Sequence, residues 1–265
     1  LVFAQIPATF EDAQTYAALY ERKKGDLSRH RYFAVIDCRG DKAARRFFSR
    51  WHEIAHMITL HDQLEFPFHR SVLERDPIER LMDAIAAEIG FYRPLFVPIV
   101  ESETKTAGAL TFEVVDRIRL SFCHTASFHA TMIASAKLTT LPVLCLEAGL
   151  ALKKEERQRV NSAQGLLFPE PKPIPKLRAL IPASNPAAKA CGLVIHKNMS
   201  VPPESIVYKA WALEEVDDYE LVPTAKGTEK LSIWRHTNGK TLKCIDVQIE
   251  ARRFKNCVLA LLSPA

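Results

Sequence analysis

RYFAVIDC (Arg31–Cys38) runs into Arg39-Gly40-Asp41 and then into RRFFSRWHEIAH (Arg45–His56). The first segment is rich in aromatic and β-branched side chains, which suit a pleated, half-buried surface, so it predicts a strand that ends in a turn. A helix is expected next. Ser49 is placed to N-cap it, and Trp51, Ala55 and Ile58 recur at the spacing of one buried helical face. The order strand, turn, helix sets the frame for everything that follows.

Within that helix, His52-Glu53-Ile54-Ala55-His56 puts two imidazoles four residues apart on one face, where both reach a single metal ion. Zinc held by three protein groups keeps a fourth position for water, brings that water's pKa to about 7 and polarises a carbonyl. A carboxylate beside the ion takes the proton and returns it to a leaving amine. The spacing therefore predicts His52 and His56 as ligands of Zn2+ and Glu53 as the catalytic base of peptide hydrolysis. The plainer alternative is a solvated helix face carrying two histidines.

The third ligand is sought on the next helix, which Asp76 caps and Pro77 opens, with Leu81, Ile85 and Ile89 in period before Gly90. Glu79, Asp83 and Glu88 are the candidates. Glu79 is favoured, because Asp83 one turn on then becomes a supporting carboxylate that orients a ligating histidine. Against this, Asp76-Pro-Ile-Glu79 also spells a capping box, in which Glu79 bonds back to the N-cap amide.

The chain has 265 residues, room for two or three modest domains, and its net charge of +5 permits acidic partners without requiring them. Its six cysteines are scattered singly with no CxxC pair, which favours a reducing cytoplasm. Apolar runs such as Leu141–Leu146 are too short to cross a bilayer, and the opening Leu1–Pro7 lacks a basic n-region, so neither membrane insertion nor export is expected. No glycine-rich phosphate loop occurs, which argues against nucleotide hydrolysis.

Thr111–Ala136 reads as two helices parted near Cys123–Thr125, in the manner of a helix-turn-helix. The second, Ala126–Ala136, has no Arg, Lys, Asn or Gln to read base edges, so direct DNA binding is not expected. Arg117, Arg119, Lys137, Lys153, Lys154, Arg157 and Arg159 read as solvated surface. His124 and His129 are spaced too poorly to form a second metal site with Cys123. A short strand is expected at Pro142–Leu146, and the proline-rich Phe168–Pro182 reads as a semi-rigid connector. Beyond it, Gly192–His196, Ser205–Leu213, Leu231–His236 and Lys240–Ala251 alternate in a β-like way, the last two around a hairpin at Asn238-Gly239. Tyr208, Trp211, Trp234 and Phe254 are assigned to core rather than to a ligand pocket.

Arg45–His56, with His61 one turn on, resembles the ImmA/IrrE family of metallopeptidases, and Ile78–Glu88 resembles that family's Glu-x-x-x-Asn-x-x-Ala-Ala segment, with Asp83 in place of Asn. The match covers residues 31–98. The resemblance implies Glu79 as the third ligand. It also implies an α+β, multidomain chain resembling the longer stress-response members: a zincin-like peptidase domain (1–103), a helix-turn-helix-like helical domain (104–167), the proline-rich linker (168–182) and an antiparallel-sheet GAF-like domain (183–265). The implied function is a cytoplasmic regulatory protease that cleaves a helix-turn-helix repressor under stress, with a small-molecule or signal ligand at the C-terminal domain. His61, His69 and Tyr92 are candidate oxyanion donors. The alternative is a non-catalytic stress sensor with a vestigial or structural metal site.

Overall fold

The computed structural model describes residues 2–5, 17–21, 32–39, 45–59, 68–69, 77–162, 173–213, 223–236, 238–254 and 256–265. The fold is mixed α and β, with two sheets among the described residues, and the chain divides into two compact units: residues 1–99 with 117–134, and residues 100–116 with 135–265.

In the first unit, β1 (Val2–Gln5), β2 (Ala17–Glu21), β3 (Tyr32–Ile36) and β4 (Phe68–His69) form a sheet in the order β1-β3-β2-β4. β1 runs parallel to β3, while β2 is antiparallel to both β3 and β4. The expected strand at 31–38 is β3. Its alternation buries Tyr32, Ala34 and Ile36, and the first two join Leu19 in a small core. Met57, from α1 (Arg46–Thr59), packs against that core, which seats the helix on the sheet.

α2 (Pro77–Gly90) lies along α1. The Thr59 hydroxyl meets Met82 Sδ at 3.1 Å, and Gly90 passes so near Trp51 that a Cβ there would sit 2.8 Å from the indole. α3 (Arg93–Ala107), α4 (Phe112–Phe122) and α5 (Phe128–Leu138) follow, and the expected break at Cys123–Thr125 falls between the last two. Edge and tilted ring contacts at about 5 Å are the favoured aromatic geometry. Phe96 makes two of them, 5.0 Å from Phe91 and 4.8 Å from Phe122, and these rings form the apolar anchor of the unit.

The second unit is built on a wholly antiparallel sheet of β5 (Leu144–Ala151), β6 (Lys176–Ser184), β7 (Thr224–Lys230), β8 (Asp246–Phe254) and β9 (Cys257–Pro264), in the order β6-β5-β9-β8-β7. Alternate residues, such as Leu144 and Leu146, Val247 and Ile249, and Ala260 and Leu262, supply one apolar face. Ala188 of α7 (Pro186–Cys191), Val207 and Ala210 of α8 (Ile206–Ala212), and the fully buried Trp234 belong to the same core. Asn185 caps α7 by accepting from Ala188 N at 2.8 Å, and Ser205 caps α8.

Several expectations are corrected. Ser49 lies inside α1 and is buried, not its N-cap. The buried face of α1 is not Trp51, Ala55 and Ile58: Ile58 is 58% exposed, and the face is Phe47, His52, Glu53, Ala55 and His56. Polar residues at a buried site defeat a search for apolar periodicity. In α2 the buried residues are Met82, Ala86 and Gly90, while Leu81 is exposed.

The strand expected at Pro142–Leu146 is longer, and as β5 it pairs with β9 of the C-terminal sheet instead of belonging to a helical domain. Residues 176–182 of the expected linker 168–182 lie in β6, which tolerates Pro182 because it is the edge strand of the sheet, while 168–172 lie outside the described residues. The basic stretch at 153–159 forms most of α6 (Lys154–Ser162). Ser205–Leu213 is helical, Leu231–Ile233 is a 3-10 turn, and Gly192–His196 is irregular. The turn at 236–240 exists, but there Gly239 supplies the positive φ (83°), and Asn238 accepts from Lys240 N instead. No helix among the described residues is long and apolar enough to cross a membrane.

Candidate metal centre

α1 places His52 and His56 one turn apart on its buried side, and α2 brings Glu79 and Asp83 to them. His52 Nε2 lies 3.0 Å from His56 Nε2 and 3.1 Å from Glu79 Oε2, while His56 Nε2 lies 3.3 Å from Glu79 Oε1. A tetrahedral ion with bonds of 2.0–2.1 Å holds neighbouring ligand atoms about 3.3 Å apart. The triangle of two imidazole nitrogens and a carboxylate thus has the size of one face of such a site. This group can hold a metal ion. Among the described residues it is the only set of three or more His, Cys, Asp or Glu that converges in this way, and Cys123, His124 and His129 do not.

The fourth side chain fixes the first. His52 Nδ1 lies 2.9 Å from Asp83 Oδ1. A carboxylate accepts only, so Nδ1 carries a proton, and Nε2 is the nitrogen that faces His56 and Glu79, a donor while the ring is protonated and a lone pair once it is not. Three acceptor groups this close repel one another unless a cation lies among them. A proton serves in the metal-free chain, and a divalent ion satisfies all three at once.

The electrostatics agree. Burial alone would raise the Glu79 carboxyl, but hydrogen bonds from His52 and His56, with their positive charge, outweigh it and hold the pKa at about 2. The histidine side chains are 1% and 2% exposed, whereas Glu79 is 21% and Asp83 44% exposed, so the group opens to solvent on its α2 side.

Glu53 is buried on α1 three residues before His56, which sets both on the same side of the helix. Of the three candidate third ligands, Glu79 meets the histidines, Asp83 supports one, and the exposed Glu88 lies roughly 13 Å farther along the helix axis. The capping partner Asp76 and the oxyanion candidate His61 lie outside the described residues. His69 is described only as backbone in β4, and Tyr92 is 55% exposed between α2 and α3. The sequence did not reveal that the two imidazoles would be shut away from solvent, because the apolar spacing of Trp51, Ala55 and Ile58 pointed to another face of α1.

No protein-family model matches this chain, and no curated protein matches it in sequence.

Proposed function

We propose that the chain is a zinc-dependent metalloendopeptidase in which His52, His56 and Glu79 hold the ion and Glu53 is the general base. The observation that carries this reading is the convergence of two imidazole nitrogens and a carboxylate, with Asp83 fixing one ring. Two imidazoles and a carboxylate with one position open form a donor set suited to zinc. Bound there, zinc would polarise a scissile carbonyl and make a water more acidic. Glu53 accepts the water's proton and passes it to the departing amine, while Asp83 keeps the His52 lone pair aimed at the centre.

The likeness of Arg45–His56 and Ile78–Glu88 to the ImmA/IrrE peptidases supports a cytoplasmic regulatory protease acting on a helix-turn-helix repressor. The order of site, paired helices α4 and α5, and antiparallel sheet supports reading the last two as helix-turn-helix-like and GAF-like. Absence of base-reading side chains from Ala126–Ala136 favours repressor docking over DNA contact.

The test is incubation of the zinc-loaded chain with a candidate repressor. Glu53→Gln is expected to retain the metal and lose cleavage; cleavage at the parental rate in that variant removes Glu53 from the mechanism. One observation favours a second reading, a non-catalytic sensor: Glu53 is only 1% exposed, shielded from a substrate. On that reading Glu53→Gln keeps biological output, and disruption of residues 183–265 abolishes it.

A further inference from the structure

The second face of the C-terminal sheet is unlike the first. Strand register places Lys226 of β7 opposite Glu250 of β8, and Glu250 opposite Leu261 of β9; in the next row Gln248 faces Ser263. These side chains floor a cavity of about 460 Å³, within the range of small-molecule sites. Its roof is the turn Gly108–Thr111 and the segment Leu141–Val143. Ala109, Leu141, Pro142 and Pro264, all part-exposed, give it an apolar wall.

The polar end is an ion pair. Lys226 Nζ lies 2.8 Å from Glu250 Oε1, and Glu250 Oε2 accepts from Phe112 N at 2.7 Å. Glu250 is 8% exposed and firmly held, and a carboxylate with two of its roughly four lone-pair positions filled still accepts. Lys226 has three donors, of which the pair uses one, and its side chain is 64% exposed.

Charge then selects the ligand. An anion seated on Lys226 meets the Glu250 carboxylate, and a cation seated on Glu250 meets the ammonium. A molecule that carries both charged groups on one carbon, beside an apolar body, satisfies the pair and the wall together. We propose that this cavity binds a free apolar α-amino acid, its carboxylate on Lys226, its ammonium on Glu250 and its side chain against Ala109, Leu141, Pro142 and Pro264. The proposal does not depend on the metal centre.

The test is calorimetric titration of the full chain with L-leucine, 4-methylpentanoate, which lacks the ammonium, and isopentylamine, which lacks the carboxylate. Adenine is included as a neutral hydrogen-bonding probe. Leucine is expected to bind at one site per chain, and each truncated analogue at least about tenfold more weakly, because each leaves one charge of the pair unanswered. Lys226→Met, a change at an exposed position, is expected to weaken leucine by a similar factor while the far-ultraviolet spectrum is kept. No binding of leucine, equal binding of either analogue, tighter binding of adenine, or full affinity in Lys226→Met overturns the proposal.

Discussion

Asp83 Oδ1 lies 2.9 Å from His52 Nδ1, on the side of the ring away from His56 and Glu79. The carboxylate would therefore act on an ion held there only through the orientation and basicity of one imidazole. Replacing Asp83 with alanine is expected to cost about 10- to 100-fold in metal affinity. Asparagine, which keeps an acceptor, is expected to lose less, as measured by competition with a chelator of known affinity. Equal losses in the two variants would show that Asp83 acts by charge alone.

Acid should weaken the metal-free fold through Glu79. Its folded pKa, about 2, lies below the ordinary 4.5. The contribution is thus fully present above pH 4.5 and is lost as pH falls toward 2. Urea unfolding of metal-free protein at about pH 5 and about pH 2.5 should show the parent losing more stability than Glu79→Gln, which has no proton to gain. Parallel losses would place the acid sensitivity elsewhere.

Gly90→Ala tests the α1–α2 contact. Alanine favours a helix by about 1 kcal/mol over glycine, but the added Cβ falls 2.8 Å from the flat Trp51 ring, and overpacking of that kind costs about 1–3 kcal/mol. The clash is expected to win, giving a net loss of about 1 kcal/mol in chemical denaturation together with a shift in tryptophan emission. A stabilised variant would mean that Trp51 moves aside freely.

Asn185 ties α7 to the segment before β5. Its Oδ1 accepts from Ala188 N at 2.8 Å and Val143 N at 3.3 Å, and its Nδ2 donates to Leu141 O at 2.6 Å and Thr139 O at 3.1 Å. Alanine removes a cap and leaves buried backbone groups unmatched, so Asn185→Ala is expected to cost about 3 kcal/mol by denaturant titration. A change below about 0.5 kcal/mol would show that water replaces the amide.

The site was more legible in sequence than the domains were. His52, His56, Glu79 and Asp83 sit on two helices that the sequence places correctly, and four-residue spacing within a helix is what sets each pair on one face. What failed were inferences from apolar pattern alone. Ile58 fits a helical stripe yet faces out, because the inward positions of α1 are taken by histidines and a glutamate, and Leu81 faces out because Met82 and Ala86 take the inward positions of α2. Residues 176–182 read as linker because they close the proline-rich stretch Phe168–Pro182, but the pairing partner of this strand, Leu144–Ala151, is distant in sequence, and such pairing leaves no local trace. Ser205–Leu213 is helical for a reason that is also non-local: Glu229, on β7, accepts from Ile206 N at 2.8 Å and helps start α8.

The central claim is tested most directly by calorimetric titration of chelator-stripped protein with zinc, comparing the parent with Glu79→Ala. The geometry predicts about one ion per chain for the parent, released protons on binding, and a large loss of affinity in the variant. A parent that binds no zinc, or a variant that binds as tightly as the parent, would contradict a metal centre at His52, His56 and Glu79.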